Sequence, residues 1–163
     1  EIFCDAPETT VPALTWGMAL ATYPFFGKVA EIVGRLTTLQ GDCTSAEIHR
    51  RMAEIYGERE GTRRMTNMVL QSQASWGAIE RKDKGKRIER KKAMDLKGSP
   101  VAAWLAEACL RYNGRALPVA SIESSPTIYP FSLGGSTAYL LSKCSTLEMR
   151  VDSAGNQVIG LVG

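Results

Sequence analysis

Apolar residues recur at helical spacing through the first half of the chain. Val29, Ile32, Val33 and Leu36 follow one another every three or four residues and predict a helix over residues 24–40. Gly41 ends this helix, because glycine adopts the left-handed conformation that commonly closes a helix.

A second helix is predicted over residues 44–57. Thr44-Ser-Ala-Glu47 matches a capping box, in which the threonine hydroxyl accepts a bond from a free backbone N–H at the helix start. Gly57 ends the helix. Its predicted buried stripe consists of Ile48, Met52, Ile55 and Tyr56.

A third helix is predicted over residues 58–76, ending at Gly77. At 100° per residue, one side of it is more apolar and is expected to be buried. That side carries Met65, Met68, Val69, Ser72 and Trp76. The opposite side, expected to face solvent, carries Arg59, Arg63, Thr66, Asn67, Leu70 and Ala74.

The periodicity changes after Gly77. Ile79 and Ile88 flank a polar centre, Asp83-Lys84-Gly85-Lys86, in which Gly85 can supply the positive φ of a tight turn. This pattern predicts a β-hairpin with a basic tip. A Gly-Ser-Pro sequence at 98–100 then marks a boundary.

The last third repeats this order of elements. A helix begins at Val101 and stops at Asn113-Gly114, and a Pro- and Ser-rich stretch over 117–131 predicts a short helix or a loop. Gly134-Gly135-Ser136 opens another helix to about Lys143, and strands at 147–151 and 158–162 flank a turn.

The segment 1–23 is the most apolar part of the chain. The apolar run 13–26 is too short to cross a bilayer and is interrupted by Gly17 and Pro24. The residues before this run carry three acids and no Lys or Arg, the opposite of a secretory leader. We therefore expect 1–23 to pack on the core, with no membrane contact.

Charge is distributed unevenly. The net charge of the 163 residues is only +3, yet residues 50–97 hold 14 of the 20 Lys and Arg and 7 of the 17 acids. The central third is therefore strongly basic and its flanks are neutral or acidic. A basic segment of this density gains stability when a polyanion lies across it.

The helices 24–40, 44–57 and 58–76 and the hairpin 78–92 together resemble the winged helix-turn-helix superfamily. The resemblance covers about 70 residues and rests on element order, the Gly57 turn and the basic hairpin. It implies a mainly α fold with short β-hairpins, a winged-helix unit at 24–97 and a C-terminal α+β unit at 98–163. The terminal hairpin suggests that this C-terminal unit is a second, degenerate winged helix.

The resemblance implies that helix 58–76 reads the major groove and that the hairpin 79–92, the wing, contacts the backbone. Arginine can bond to guanine and asparagine to adenine, and the lysines can bond to phosphates. The candidate nucleic-acid contacts are Arg50, Arg59, Arg63, Thr66, Asn67, Arg81, Lys82, Lys84, Lys86, Arg87 and Arg90.

The predicted function is therefore non-enzymatic binding of nucleic acid, with duplex DNA favoured over RNA. The alternative is an adaptor subunit that uses the winged helix for protein contacts. Residues 101–163 balance 4 basic with 4 acidic side chains and are apolar, which suggests an interface for a second copy or a protein partner.

No group of residues points to catalysis or to a cofactor. The lone histidine, His49, lacks a nearby nucleophile and is expected to lie at the surface. The four cysteines form no CxxC pair, so no metal site is predicted. We expect reduced thiols and a cytoplasmic location.

Overall fold

The N-terminal apolar segment forms a helix that packs on the core. The computed structural model describes residues 8–134 and 137–163 of the chain. Helix α1 (Thr10–Thr22) buries Ala13, Trp16 and Leu20. Its principal contact is with a helix of the last third, α5 (Val101–Asn113).

The central elements follow the predicted order, with one strand added. They are α2 (Pro24–Gln40), β1 (Asp42–Thr44), α3 (Ser45–Tyr56), α4 (Glu60–Ser75), β2 (Ile79–Lys82) and β3 (Arg87–Arg90). Gly41 closes α2 with φ of 78°. The Thr44 hydroxyl accepts a bond from the Glu47 N–H at 3.2 Å, which confirms the predicted start of α3.

The hairpin belongs to a three-stranded antiparallel sheet in the order β1-β3-β2. Ile88 lies opposite Cys43 on one neighbour and opposite Arg81 on the other. Ile79 and Ile88 are buried, as predicted. The sheet therefore fixes the hairpin against the start of α3.

The last third resembles this order of helices and strands but adds a 3-10 turn and a strand between its second and third helices. After β4 (Met94–Asp95) come α5, β5 (Leu117–Pro118), α6 (Val119–Glu123), a 3-10 turn (Pro126–Ile128), β6 (Phe131–Ser132), α7 (Thr137–Ser142), β7 (Leu147–Val151) and β8 (Gln157–Leu161). Its sheet has the order β5-β8-β7, so the late strand is central, as in the first sheet. The predicted terminal hairpin and the Gly114 helix end are confirmed.

The two units share one hydrophobic core. Trp16 lies at its centre, where its indole N–H donates to the Thr127 carbonyl at 2.8 Å and its ring meets Tyr129 edge-on. A Cβ on Gly34 would lie 2.2 Å from the Pro126 carbonyl, so only glycine allows α2 to approach the 3-10 turn this closely. Packing therefore joins the first and last thirds of the chain.

The predicted orientation of α4 is correct for Val69 and Trp76, which pack partly buried against the core, but wrong for other residues of the helix. Leu70, predicted to face solvent, is fully buried, and Thr66 and Gln73 are buried beside it. Met65 and Met68, predicted to be buried, are 49% and 63% exposed. The rotation places two polar residues inside. The Thr66 hydroxyl donates to the Thr62 carbonyl and Gln73 Oε1 accepts a bond from the Tyr129 hydroxyl, whereas Gln73 Nε2 has no hydrogen-bond partner within the described residues.

Three smaller expectations have different outcomes. Ile55 of α3 was assigned to the buried stripe but is 52% exposed. Cys43 and Cys109 are buried free thiols and Cys144 is a partly buried one, whereas Cys4 lies outside the described residues. Residues 135 and 136 of the predicted Gly-Gly-Ser helix start also lie outside them.

Candidate nucleic-acid interface

The exposed sides of α3 and α4 and the tip of the hairpin enclose an open cleft of about 910 Å³. The α3–α4 turn forms one end of it. Seven of the eleven predicted contact residues line this cleft: Arg50, Arg59, Arg63, Asn67, Arg81, Lys84 and Lys86. The fold thus brings together residues that are up to 36 positions apart in sequence.

The hairpin tip owes its shape to a left-handed turn. Asp83, Lys84 and Gly85 all have positive φ, at 52°, 57° and 84°. The Gly85 N–H donates to the Lys82 carbonyl at 3.0 Å and closes the turn. The Lys86 carbonyl accepts a bond from the Ser45 N–H at 2.9 Å, so the tip is attached to the first residue of α3.

The cleft is rich in positive charge. Six cationic side chains face three carboxylates, those of Glu54, Glu58 and Glu60. Arg50 is paired with Glu54 at 2.5 Å. Among the described residues, no carboxylate lies within 4.0 Å of Arg59, Arg63, Lys84 or Lys86. These four cations therefore remain available to an anionic ligand.

Lys82 and Arg87 were predicted contacts, but they lie outside the cleft. Lys82 Nζ lies 2.7 Å from Glu89 Oε2, and Arg87 Nη2 lies 2.6 Å from Glu89 Oε1. The hydrogen bond between Lys82 and Glu89 raises the pKa of Lys82 and lowers the pKa of Glu89. The side chains alternate along each strand, so this face of the sheet points away from the cleft and carries compensated charge.

Arg90 was also predicted to contact nucleic acid, but it lies outside the cleft and is partly buried against α2. Its guanidinium donates to the Gly34 carbonyl at 2.7 Å and to the hydroxyls of Thr37 and Thr38, both at 2.9 Å. It also lies over the Tyr129 ring, 5.0 Å from the centroid. Burial lowers the pKa of Arg90, and these contacts hold the hairpin to α2.

Thr66 is the other predicted contact that the structure excludes, because it is fully buried. The rotation of α4 that buries it turns Arg64, Met68 and Gln71 outward beside Arg63 and Asn67. Arg64 and Gln71 are exposed donors of a kind that can bind phosphates or base edges, but they do not line the cleft. Their position could have been found only by recognising that Thr66 and Gln73 are buried polar residues.

His49 lies in the cleft and is partly buried. Its Nδ1 is shielded from solvent and has no hydrogen-bond partner within the described part of the chain. Burial lowers the pKa of His49, and the charges of Arg63 and Arg81 lower it further. The histidine expected at the surface therefore lies partly buried in the cationic cleft.

Comparisons with protein-family models, curated proteins and solved structures found no match for this chain. The chemistry of the cleft must therefore be argued from its own residues. Across residues 8–134 and 137–163, no group of three or more His, Cys, Asp or Glu is arranged to hold a metal ion. No helix in these ranges combines the length and apolar character that a membrane span requires.

Proposed function

We propose that residues 24–97 form a winged helix and that its cleft binds duplex DNA. The observation that carries this proposal is the convergence of six cationic side chains on the concave surface between α3, α4 and the hairpin tip. The winged-helix assignment is supported by the order helix, strand, helix, helix, strand, strand and by the sheet order β1-β3-β2.

The cleft suits a duplex because the side chains that can bind phosphates and those that can bind base edges lie on different elements. Lys84 and Lys86 stand on the tip of the hairpin and are exposed, as contacts to a phosphate backbone must be. Arg63 and Asn67 lie one turn apart on α4, and an α-helix fits the major groove. In this arrangement α4 contacts base edges in the major groove, and the hairpin binds the neighbouring phosphate backbone of the DNA.

The same geometry disfavours a single-stranded ligand. Such sites stack bases on aromatic side chains that alternate with cations. The residues that line the cleft include no Phe, Tyr or Trp. Duplex DNA therefore fits the cleft better than a single strand does.

A role as an adaptor subunit is the second candidate, and the last third of the chain favours it. Residues 101–163 are charge-balanced, yet Tyr139 is 61% exposed and Val151 is 70% exposed. Exposed apolar side chains on a neutral surface suit a protein partner or a second copy of the chain. In this reading DNA binding is weak and the winged helix contacts protein.

A salt titration on mixed-sequence duplex DNA separates these two functions. Binding to phosphates releases counterions, so the logarithm of the affinity should fall with the logarithm of salt by about 0.9 per phosphate contacted. Roughly 4–6 contacts are expected from a cleft of this size. The absence of binding at about 0.1 M salt, or an affinity independent of salt, favours the adaptor.

Variants of the hairpin identify the cleft as the binding surface. Lys84→Ala with Lys86→Ala should reduce the salt slope by about two phosphate contacts and weaken binding to all sequences equally. Lys82→Ala is the matched control, because Lys82 lies on the same hairpin but is paired with Glu89 on the other face. An equal loss in both proteins contradicts the proposed site.

A further inference from the structure

Arg81 connects the hairpin to α4. Residue 81 follows the buried Ile79 by two positions in β2, so its side chain lies on the inner face of the sheet, toward α4. Its Nη2 donates to Asn67 Oδ1 at 3.0 Å and reaches the Gly85 carbonyl at 3.4 Å. A Cβ on Gly85 would lie 3.1 Å from the same nitrogen, so Arg81 fits closely beneath the turn.

This bond determines which way the Asn67 amide faces. A guanidinium has only donors, so it must meet the oxygen of the amide and not its nitrogen. The oxygen of Asn67 is therefore turned toward Arg81, and Nδ2 with its two hydrogens points elsewhere. Asn67 is exposed, so this nitrogen is available to a ligand in the cleft.

The orientation changes the base that Asn67 can read. A free asparagine pairs with adenine because its oxygen accepts from N6 while its nitrogen donates to N7. In this cleft Arg81 already uses one of the two lone pairs of that oxygen, so the adenine amino group would have to share the oxygen with a cation. Guanine presents only acceptors, N7 and O6, along its major-groove edge, and these match the donors of Asn67 and Arg63.

We propose that Arg81 is a positioning residue that holds Asn67 as a donor, so that the cleft selects guanine over adenine. The inference rests on the proposed function, since it names the sequence class that the same cleft would read. It also separates Arg81 from the hairpin lysines: Arg81 sets base preference, and Lys84 and Lys86 supply affinity that is independent of sequence.

The experiment is a selection of bound duplexes from a randomised pool, followed by competition binding with single-base variants. The wild-type chain should enrich guanine. Asn67→Ala should lose the preference at one position and keep it elsewhere, which identifies the base pair read by Asn67. At that position the wild type should prefer guanine by roughly 5- to 150-fold, the range of one well-read base.

Arg81→Met then tests the positioning role. It keeps much of the side chain but frees the Asn67 oxygen, so adenine should become the preferred base at that position. A loss of structure alone cannot create a new preference, so this gain is specific to the proposal. Arg35→Met, the same change at an exposed arginine of α2 outside the cleft, should leave the preference unchanged.

Each other result has a definite meaning. Failure of the wild type to bind any duplex overturns the proposed function and this inference with it. Binding without base preference, or a wild-type preference for adenine at the position defined by Asn67→Ala, overturns only the inference. An Arg81→Met protein that is folded and still selects guanine there also overturns it. If Arg81→Met does not fold, the wild-type and Asn67→Ala preferences decide the question.

Discussion

Replacing Arg90 with alanine should destabilise the protein strongly and leave the side chains that line the cleft in place. The substitution removes three hydrogen bonds, to Gly34, Thr37 and Thr38, and the contact with the Tyr129 ring. A hydrogen bond to a charged group contributes about 1.5–3 kcal/mol, and a cation–π contact about 0.5–2 kcal/mol. Water will enter and solvate the freed acceptors, so the net loss is smaller than the sum, about 2–4 kcal/mol.

Urea denaturation of the wild type, Arg90→Ala and Arg87→Ala measures this loss. Arg87 is the matched control, because it lies on the same strand but pairs with Glu89 on the outer face. Its replacement should cost less than about 1 kcal/mol, as for other exposed pairs. For a chain of this length a loss of 2–4 kcal/mol lowers Tm by roughly 5–15 °C. Equal destabilisation of the two variants, or a normal Tm for Arg90→Ala, refutes the structural role assigned to the Arg90 contacts with α2.

Two further predictions test the orientation of α4 and the environment of His49. Leu70→Ala should lower the free energy of unfolding in urea by about 2–5 kcal/mol, because Leu70 is fully buried. Met68→Ala should lower it by under about 1 kcal/mol, because Met68 is exposed. Equal losses would contradict the observed rotation of the helix. Because the pKa of His49 is lowered from 6.5 in the folded chain, the unfolded chain binds more protons just below that pH. The free energy of unfolding should therefore decline as the pH falls just below 6.5. His49→Gln should remove that part of the decline. An identical dependence of stability on pH in the two proteins would refute the predicted role of His49.

The elements of the fold were predictable where a local signal defined them. The Thr44 cap, Gly41 and Gly114 are short-range features whose geometry depends on neighbouring residues, and each gave the correct boundary. Strand β1 was missed because three residues, Asp-Cys-Thr, are too few to show an alternating pattern. Its existence depends on pairing with β3, which is a tertiary contact.

The positive charge of the candidate site was predictable from the sequence, but which of its cations are paired with carboxylates was not. Lys82 and Lys84 look alike in sequence, and only strand alternation and the position of Glu89 separate a paired side chain from an available one. The face of α4 was mistaken because hydrophobicity alone cannot reveal that Gln73 finds a buried partner in Tyr129, 56 residues away. Buried polar pairs of this kind are determined by the fold as a whole.

The shared core limits how this chain could have evolved. Trp16 and Tyr129 come from distant parts of the sequence and meet within one cluster, and Arg90 lies over the Tyr129 ring, so each unit buries part of its apolar surface against the other. A recombination event at the Gly-Ser-Pro boundary would separate Trp16 from the Thr127 carbonyl and Gly34 from the turn it contacts. An exchange of either unit alone would therefore expose apolar surface that the other unit now covers.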